Sequence, residues 1–300
     1  MIVTEQQKAR LQAEKVILLE GASPFVCRGF EVFETTAEVA LLQEYIDGRA
    51  LYECVWKYRD TGTFPEGVAK FFVVQLVLAL RDLHARGYIH RDFKSGNVLI
   101  GKDGFAKVID FGLSKKVAEG GEGSGASERT QSLCGTPYIM APEMFFRKPY
   151  GYAVDWWSLG VVIYEMVVGH PPWEYQCPTD STMDEYFQRI KRKAESLFLE
   201  DDAKTTNPLS SDLKSLISAL LQIDPHKRLG RNGAPEVINH AWFSDIDWPQ
   251  CERKELSFAV PYDFSGDYNP ARVRPCQGQE SLSSAESIDP EDNAKYFAGF

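Results

Sequence analysis

The chain has 300 residues, 44% of them hydrophobic and 25% charged, and its formal net charge is −10. These proportions are typical of a soluble globular protein with one large domain or two ordinary ones. An acidic chain without a basic stripe is a poor candidate for binding nucleic acid. The most apolar stretches, residues 71–80 and 159–168, are too short to cross a bilayer, so we expect no membrane span.

Cysteine use favours a reducing compartment. Six cysteines are scattered along the chain, with no Cys-x-x-Cys pair and no clustering with histidine. This spacing argues against a zinc site and against a disulfide scaffold. The first eight residues are mostly polar, unlike a secretory signal peptide. We therefore expect a cytoplasmic protein that could also enter the nucleus.

The N-terminal part of the chain predicts one helix followed by two strands. Residues 4–20 carry an apolar stripe at helical spacing, with Thr4 as a candidate cap. A Gly-Ala-Ser-Pro stretch then ends the helix. Residues 25–34 and 38–46 alternate or run apolar as strands do, and Asp47 with the following glycine ends the second strand.

Helical periodicity dominates the rest of the chain. Residues 50–58 predict a short helix and residues 65–86 a long one, with His84 expected in the core or as a cap. Residues 154–168 are apolar nearly all round, as in a buried helix. Further helices are predicted at 182–195, 210–222 and 234–241.

Two stretches show no such pattern. Residues 118–131 are rich in Gly, Ser and Glu and predict a mobile loop. From Trp242 onward the pattern breaks into short segments with Pro, Gly, Ser and Asp, which we expect on the surface of the domain.

The residues best suited to chemistry lie between His90 and Gly112. This stretch predicts a loop, a short strand, a turn at residues 102–104, a second strand and another loop. Its polar residues could converge at one end of the hairpin: Asp92, Lys94, Asn97 and Asp110. Two carboxylates, an amide and an ammonium in one cleft suit Mg²⁺ and phosphate oxygens, although each residue alone would rather indicate a turn.

Five motifs resemble, in order, those of eukaryotic serine/threonine protein kinases. They are His90-Arg91-Asp92 with Asn97, Asp110-Phe111-Gly112, Ala141-Pro142-Glu143, Asp155-Trp156-Trp157 through Gly160, and Arg228. Lys94 and Gly135-Thr136-Pro137 are typical of serine/threonine rather than tyrosine specificity. Residues 132–137 and the terminal Phe297 and Phe300 resemble the AGC group, especially the cyclic-nucleotide-dependent kinases.

The resemblance implies a protein-kinase-like α+β fold. We expect a near-complete helical large lobe and a partial small lobe of one helix and two strands. The kinase domain would cover residues 1–243 and an AGC-type C-terminal tail residues 244–300.

The resemblance also implies ATP and Mg²⁺ as cofactors and assigns a role to each polar residue. Asp92 would orient the substrate hydroxyl and accept its proton, and Lys94 would neutralise the transferring phosphoryl group. Asn97 and Asp110 would hold two Mg²⁺ ions. Positioning and electrostatic stabilisation would supply most of the rate.

Further residues would bind the nucleotide or regulate the enzyme. Backbone groups of Glu44 and Ile46 would bond adenine, with apolar contacts from Leu51 and Leu99. Ser132, in the same segment as Thr136, would carry an activating phosphate clamped by Arg91. Glu14 matches the glutamate that pairs with the phosphate-anchoring lysine, and the terminal residues would dock on the small lobe: Phe297 and Phe300.

The largest departure from the family pattern precedes Glu14. Kinase domains of this group carry a Gly-rich strand pair and a lysine strand before this glutamate, and the 13 residues before Glu14 contain neither. Either the chain is a fragment or truncated gene model of an active kinase, or it is a pseudokinase that kept its large lobe. Intact catalytic residues favour the first interpretation. We expect little phosphotransferase activity from the chain as written.

Smaller departures concern substrate choice and packing. Ala50 and Gly96 stand where relatives that select arginine carry acidic residues, although Glu165 is retained. A preference for basic peptides is therefore doubtful. Gly29 replaces a bulky apolar residue, a loss that could cost about 2–5 kcal/mol if the site cannot collapse. The long loop before Ser132 is expected to become ordered when that serine is phosphorylated.

The expected partners are proteins phosphorylated on serine or threonine, an upstream activating kinase, and a regulatory subunit that binds cyclic nucleotides. A different function remains open, namely a catalytically impaired scaffold or allosteric partner that uses the same surfaces. A small-molecule kinase is less consistent with the Ser132 segment and with Ala141-Pro142-Glu143, which fit a peptide-binding platform.

Overall fold

The computed structural model describes residues 5–21, 23–34, 39–59, 63–117, 130, 134–174, 182–198 and 208–255. The helices of these residues, in chain order, are α1 (Glu5–Glu20), α2 (Leu51–Arg59), α3 (Glu66–Ala85), α4 (Pro142–Phe145), α5 (Ala153–Val168), α6 (Met183–Glu195), α7 (Ser211–Leu220), α8 (Ala234–Ile238) and α9 (Trp248–Glu252). None of them is long and apolar enough to cross a membrane.

The strands of the described residues are short and fall into three small groups. They are β1 (Gly29–Glu34), β2 (Val39–Gln43), β3 (Gly48–Ala50), β4 (Tyr88–Ile89), β5 (Val98–Gly101), β6 (Ala106–Val108) and β7 (Lys115–Lys116). β1 and β2 form an antiparallel hairpin, β5 lies between β3 and β6, and β4 pairs with β7. All pairings are antiparallel, so short turns suffice to connect β5 to β6.

Local sequence signals explain where several helices begin and end. At the start of α6, the Thr182 hydroxyl accepts from the Glu185 N–H at 3.2 Å, and the Glu185 carboxylate accepts from the Thr182 N–H at 2.7 Å. This reciprocal pair is a capping box. α5 ends at Gly169, whose φ of 89° suits glycine because it has no Cβ to clash.

The core is built around α5 and α3. Both tryptophans of α5, Trp156 and Trp157, are completely buried. α7 packs closely on α5, because a Cβ added at Gly160 would lie 2.9 Å from the Leu220 Cβ. The same core continues to Ile17 of α1, so the N-terminal helix belongs to it.

The predicted fold class is confirmed, and the predicted helices and strands match the observed ones apart from their ends. The strand predicted at 25–34 begins only at Gly29, because Val26 makes just an isolated bridge with Val108. β3, β4 and β7 have two or three residues each, too few for an alternating pattern to reveal them.

The expectation that the chain from Trp242 onward lies on the surface is wrong for three residues of this stretch. Trp242, Phe243 and Cys251 are buried in the main core, and α9 lies against α3. The spacing of these residues in the sequence has neither a helical nor a strand period, because single side chains from short segments fill spaces in the core. Thr4, the loop at 118–129, Ser132, Phe297 and Phe300 lie outside the described residues.

The hairpin backbone lies directly against α1 at Gly29. A Cβ added there would be 2.9 Å from the Leu18 Cβ and 3.3 Å from the Leu18 carbonyl carbon. The space of a larger side chain is therefore already filled by the approach of β1. The loss of stability that was expected if the site at Gly29 could not collapse therefore does not apply.

Candidate active site

A single carboxylate, that of Asp92, organises the loop between β4 and β5. Asp92 is only 6% exposed. Its Oδ1 accepts from the Thr136 N–H at 2.9 Å and from the Thr136 hydroxyl at 2.7 Å, and its Oδ2 lies 2.9 Å from Lys94 Nζ. Burial alone would raise the pKa of Asp92, but the bonds from Lys94 and Thr136 and the lysine charge lower it below 3.8. The carboxylate is therefore ionised at neutral pH.

Lys94 and Asn97 complete this cluster. Lys94 Nζ also donates to the Thr136 hydroxyl at 2.8 Å, so the ammonium bridges the catalytic loop and the segment near 136. The Asn97 amide N–H₂ donates to the Asp92 backbone carbonyl at 2.9 Å and to its Oδ2 at 3.2 Å. Because the amide nitrogen is fixed in this way, the Asn97 carbonyl oxygen is the group turned toward other ligands.

A buried aspartate of α5 holds the loop backbone from below. Asp155 accepts from the His90 N–H and the Arg91 N–H, both at 2.9 Å, and from His84 at 2.8 Å. Burial would raise the pKa of Asp155, but the bond and charge of His84, the charge of His90 and the Arg91 N–H lower it. These bonds stabilise Arg91 at a φ of 69°, a conformation that an L-residue rarely adopts. His84 is a core residue, as predicted.

Asp110 lies at the start of the loop after β6, and its φ is 63°. Its carboxylate accepts from the Gly112 N–H at 3.2 Å, and a Cβ added at Gly112 would be 3.8 Å from Glu14 Oε2. Partial burial raises the pKa of Glu14 above 4.5, and the charge of Asp110 raises it further. The structure therefore brings Glu14 to the Asp110 loop, where an acidic pair would attract cations.

The predicted adenine-binding segment follows β2. The Glu44 N–H donates to the Arg28 carbonyl at 2.9 Å, so its own carbonyl oxygen is the group that it would offer to adenine. The Glu44 carboxylate accepts from Lys107 Nζ at 2.5 Å and from the Arg28 N–H at 2.8 Å. Ile46 is half-buried, and these bonds fix the backbone that leads to it.

The remaining predicted contacts differ in their accessibility. Leu99 is half-buried, whereas Leu51 is completely buried and lies beneath the surface. Ala50 is 9% exposed, and a Cβ added at Gly96 would make only ordinary contacts with Lys94 and Tyr52. Glu165 is 1% exposed, so its carboxylate does not lie on the surface of the described structure.

A second cationic centre lies beside the catalytic loop. Arg91 is buried, and its Nε donates to the Leu113 carbonyl at 2.6 Å. Burial lowers the pKa of Lys115 of β7, and the nearby charge of Arg91 lowers it further. The segment that contains Thr136 passes here, because a Cβ added at Gly135 would be 2.5 Å from the Arg91 carbonyl oxygen.

The comparison with protein families decides the relationship. A sequence model described as "Protein kinase domain" matches residues 2–243. The chain belongs to this family. The five motifs predicted from the sequence thus belong to a kinase domain.

The relatives of this chain are serine/threonine kinases. The serine/threonine-protein kinase AtPK2/AtPK19 of Arabidopsis thaliana is 31% identical over 296 residues, which cover 98% of this chain and 58% of the relative. A cAMP-dependent protein kinase catalytic subunit of Dictyostelium discoideum is 36% identical over 265 residues, 87% of this chain and 37% of the relative. The cAMP-dependent protein kinase catalytic subunit PRKX of Homo sapiens is 32% identical over 268 residues, which cover 89% of this chain and 68% of the relative. The predicted resemblance is confirmed, and the chain spans only 37–68% of the length of these curated relatives.

Sequence reasoning missed three contributions to this candidate site. Thr136 was predicted only as part of a regulatory segment, yet it contacts Asp92 directly. Lys115 was not singled out, although the pair of lysines that follows the Asp110 loop was a visible signal. Asp155 was noted as part of a motif, but nothing in its spacing indicates that it binds the backbone of residues 90 and 91.

Proposed function

We propose that this protein transfers the terminal phosphoryl group of ATP to serine or threonine in proteins. One observation carries the proposal, the ionised Asp92 carboxylate held between Thr136 and Lys94. A buried carboxylate fixed by four donors is suited to orient a hydroxyl nucleophile without reorganising during the reaction. The family as a whole uses ATP and Mg²⁺, and the relatives named above are serine/threonine kinases.

In this mechanism Asp92 binds the hydroxyl of the substrate and accepts its proton as the oxygen attacks phosphorus. Lys94 is within hydrogen-bond reach of Asp92 and of Thr136. Its ammonium would neutralise negative charge on the transferring phosphoryl group. The hydroxyl of Thr136 keeps the Asp92 carboxylate in one orientation. Backbone groups of Glu44 and Ile46 and the side chain of Leu99 would hold adenine. Leu51, which is buried, would support this surface from beneath.

The donor set near Asp92 fits Mg²⁺. The Asn97 carbonyl oxygen and the exposed Asp110 carboxylate are hard oxygen ligands of the kind that Mg²⁺ prefers. Ions held by these two residues would offset the negative charge of the ATP phosphates. The bonds from Asn97 to Asp92 hold the amide in the orientation that this role requires.

Regulation by phosphorylation forms part of the proposal. Arg91 and Lys115 are two cations held close together, and a phosphate on Ser132 would relieve their repulsion. An upstream kinase would supply that phosphate. Phe297 and Phe300, at the end of an AGC-type tail over residues 244–300, would dock on the part of the chain that contains α1. By the same analogy with the relatives, we propose a regulatory subunit as a partner and a cytoplasmic location.

Selection of arginine in the substrate is not expected. Ala50 and Gly96 offer no negative charge, and Glu165 is buried. Because Gly96 has room for a side chain, Gly96→Glu should introduce selection for a basic residue. A scan of peptides with arginine at successive positions, applied to the native protein and to this variant, measures the change.

The test of the main proposal is Asp92-dependent phosphate transfer. The native chain and Asp92→Asn are incubated with labelled Mg·ATP and a mixture of serine and threonine peptides. We expect slow transfer by the native chain and a loss of about 10²–10⁴-fold in the variant, the usual contribution of a general base. Equal labelling of both proteins would contradict the proposal.

A binding measurement separates the enzyme from the scaffold. Asp110→Asn should weaken Mg·ATP binding, because one of the proposed oxygen ligands loses its charge. Mg·ATP binding without any Asp92-dependent transfer would favour the impaired scaffold. The absence of both binding and transfer would reject the nucleotide site itself.

A further inference from the structure

The side chain of Arg86 joins the ends of two helices that are far apart in sequence. Arg86 follows the last residue of α3, and its guanidinium donates to two carbonyls of α1, that of Val16 at 2.9 Å and that of Ile17 at 3.3 Å. The side chain is 19% exposed, and Asp82 lies 3.8 Å away on the same face of α3. The guanidinium is thus held from the α3 side and directed at α1.

The end of α1 needs a cation from elsewhere. The last turn of α1 contains no basic residue of its own, and the carbonyls at a helix end carry partial negative charge. Gly21 leaves room for the contact, because a Cβ there would be 2.8 Å from the Ile17 oxygen and 3.5 Å from Arg86 Nη1. Arg86 therefore provides the C-terminal cation that α1 lacks.

The two carbonyls lie close to Glu14 on the same helix. Val16 and Ile17 are two and three residues beyond Glu14, within one turn of α1. Glu14 in turn lies beside the Asp110 loop, because a Cβ added at Gly112 would be 3.8 Å from Glu14 Oε2. A shift or rotation at the end of α1 would therefore move the Glu14 carboxylate away from this loop.

We propose that Arg86 is a positioning residue that binds the terminal carbonyls of α1 and thereby holds Glu14 beside Asp110. The proposal concerns the catalytic site but uses no residue of the catalytic loop. Its consequence for nucleotide binding rests on the proposed function, whereas the positioning of α1 can be measured without any nucleotide.

The first experiment measures amide hydrogen exchange in the full chain without nucleotide. Arg86→Met should increase exchange in the last turn of α1 and at Gly112. Arg81→Met is the matched control. It removes a guanidinium of α3 that lies 2.5 Å from the Glu252 carboxylate and, within the described part of the chain, does not bind α1. The control should increase exchange near α9 and leave α1 unchanged. Unchanged exchange at α1 and Gly112 in Arg86→Met would overturn the proposal.

Two further variants separate positioning from charge and from general loss of stability. Gly21→Ala disturbs the same contact without changing charge, and it should increase exchange at the same amides. Arg86→Lys keeps a donor and should retain most of the protection. If Arg86→Met merely lowers global stability, exchange would rise equally in α5 and α1, which would also reject a specific role.

The second experiment is a double-mutant cycle on Mg·ATP affinity with Arg86→Met and Glu14→Gln. Arg86→Met should weaken binding in the native background and have little further effect when Glu14→Gln is present. Additive losses would show that Arg86 does not act through Glu14. If the native chain does not bind Mg·ATP, the proposed function fails, while the exchange experiment still decides the role of Arg86.

Discussion

Two regions of this molecule differ in how they bury their apolar surface. The helical region, made of α3, α5 and α7, keeps nearly all its large apolar side chains away from solvent. The hairpin of β1 and β2 packs one face on α1, while three apolar side chains elsewhere on it are about half exposed: Phe30 at 55%, Phe33 at 48% and Leu42 at 48%. A two-stranded hairpin is marginally stable alone, so α1 supports this one.

This difference bears on how the proposed catalytic groups are held. The loop that contains Asp92 is anchored to the helical region, because Asp155 of α5 accepts from the His90 and Arg91 N–H groups. Glu14 and Glu44 reach the site from α1 and the hairpin, which have fewer buried neighbours. Changes in the helical region should therefore cost much stability, and changes in the hairpin little.

The largest effect is expected from breaking a buried ion pair beside the helical region, where Arg228 also donates to the Ala153 carbonyl at the start of α5. Arg228 is fully buried and makes two bonds to the Glu143 carboxylate, at 2.7 and 2.9 Å. Arg228→Ala leaves that carboxylate buried and unpaired, so the free energy of unfolding should fall by about 3–5 kcal/mol. Urea unfolding measures this loss.

The matched control for that prediction removes both charges. Arg228→Met combined with Glu143→Leu leaves no unpaired charge and should cost clearly less than the single change. A single variant within 1 kcal/mol of the native protein would show that the pair is screened by solvent.

A smaller effect is expected from two glycines with equal contact distances. A Cβ at Gly160 would lie 2.9 Å from the Leu220 Cβ, and one at Gly29 would lie 2.9 Å from the Leu18 Cβ. Gly160→Ala should cost about 1–3 kcal/mol because two packed helices cannot separate easily. Gly29→Ala should cost less, since the hairpin can move away from α1. Equal losses in thermal or urea unfolding would remove the contrast between the regions.

The pH dependence of stability should identify Asp155 as an anchor of the helical region. The pKa of Asp155 in the folded chain lies below its ordinary value of 3.8. At pH values between these two pKa values the unfolded chain therefore binds more protons than the folded chain. The stabilisation is present above pH 3.8 and is lost as the pH falls through the folded pKa. Asp155→Asn should be less stable at neutral pH and show a shallower acid limb in unfolding experiments from pH 6 downward.

The control for this titration is a carboxylate on the surface. Asp245 has a pKa lowered by the hydrogen bond from Lys70, but its side chain is 65% exposed. Asp245→Asn should leave the acid limb nearly unchanged, because exposed pairs contribute little. An equally large change in both variants would mean that Asp155 has no special role.

The smallest effect is expected on the outer face of the hairpin. Leu42→Ser should change the free energy of unfolding by no more than about 0.5 kcal/mol, because the side chain is already half exposed. Leu216→Ser, a fully buried position in α7, serves as the contrasting variant and should be strongly destabilising. A large loss in Leu42→Ser would indicate that another part of the chain covers this face.

The sequence alone determined the family, the long helices and the identity of the central polar residues. Helical periodicity marked α1, α3 and α5 because burial of one face requires apolar residues at fixed spacing. The motif around Asp92, Asn97 and Asp110 was recognisable because phosphate and Mg²⁺ chemistry restricts which residue types can stand there.

Only the tertiary structure decided which distant residues meet. The bonds from Thr136 to Asp92, from Asp155 to the catalytic loop and from Arg86 to α1 join positions separated by 44, 64–65 and 69–70 residues. No local pattern encodes such contacts, because each depends on where packed helices place the chain. For the same reason the burial of Trp242 and Cys251, and the close approach of β1 to α1 at Gly29, could not be predicted from the sequence.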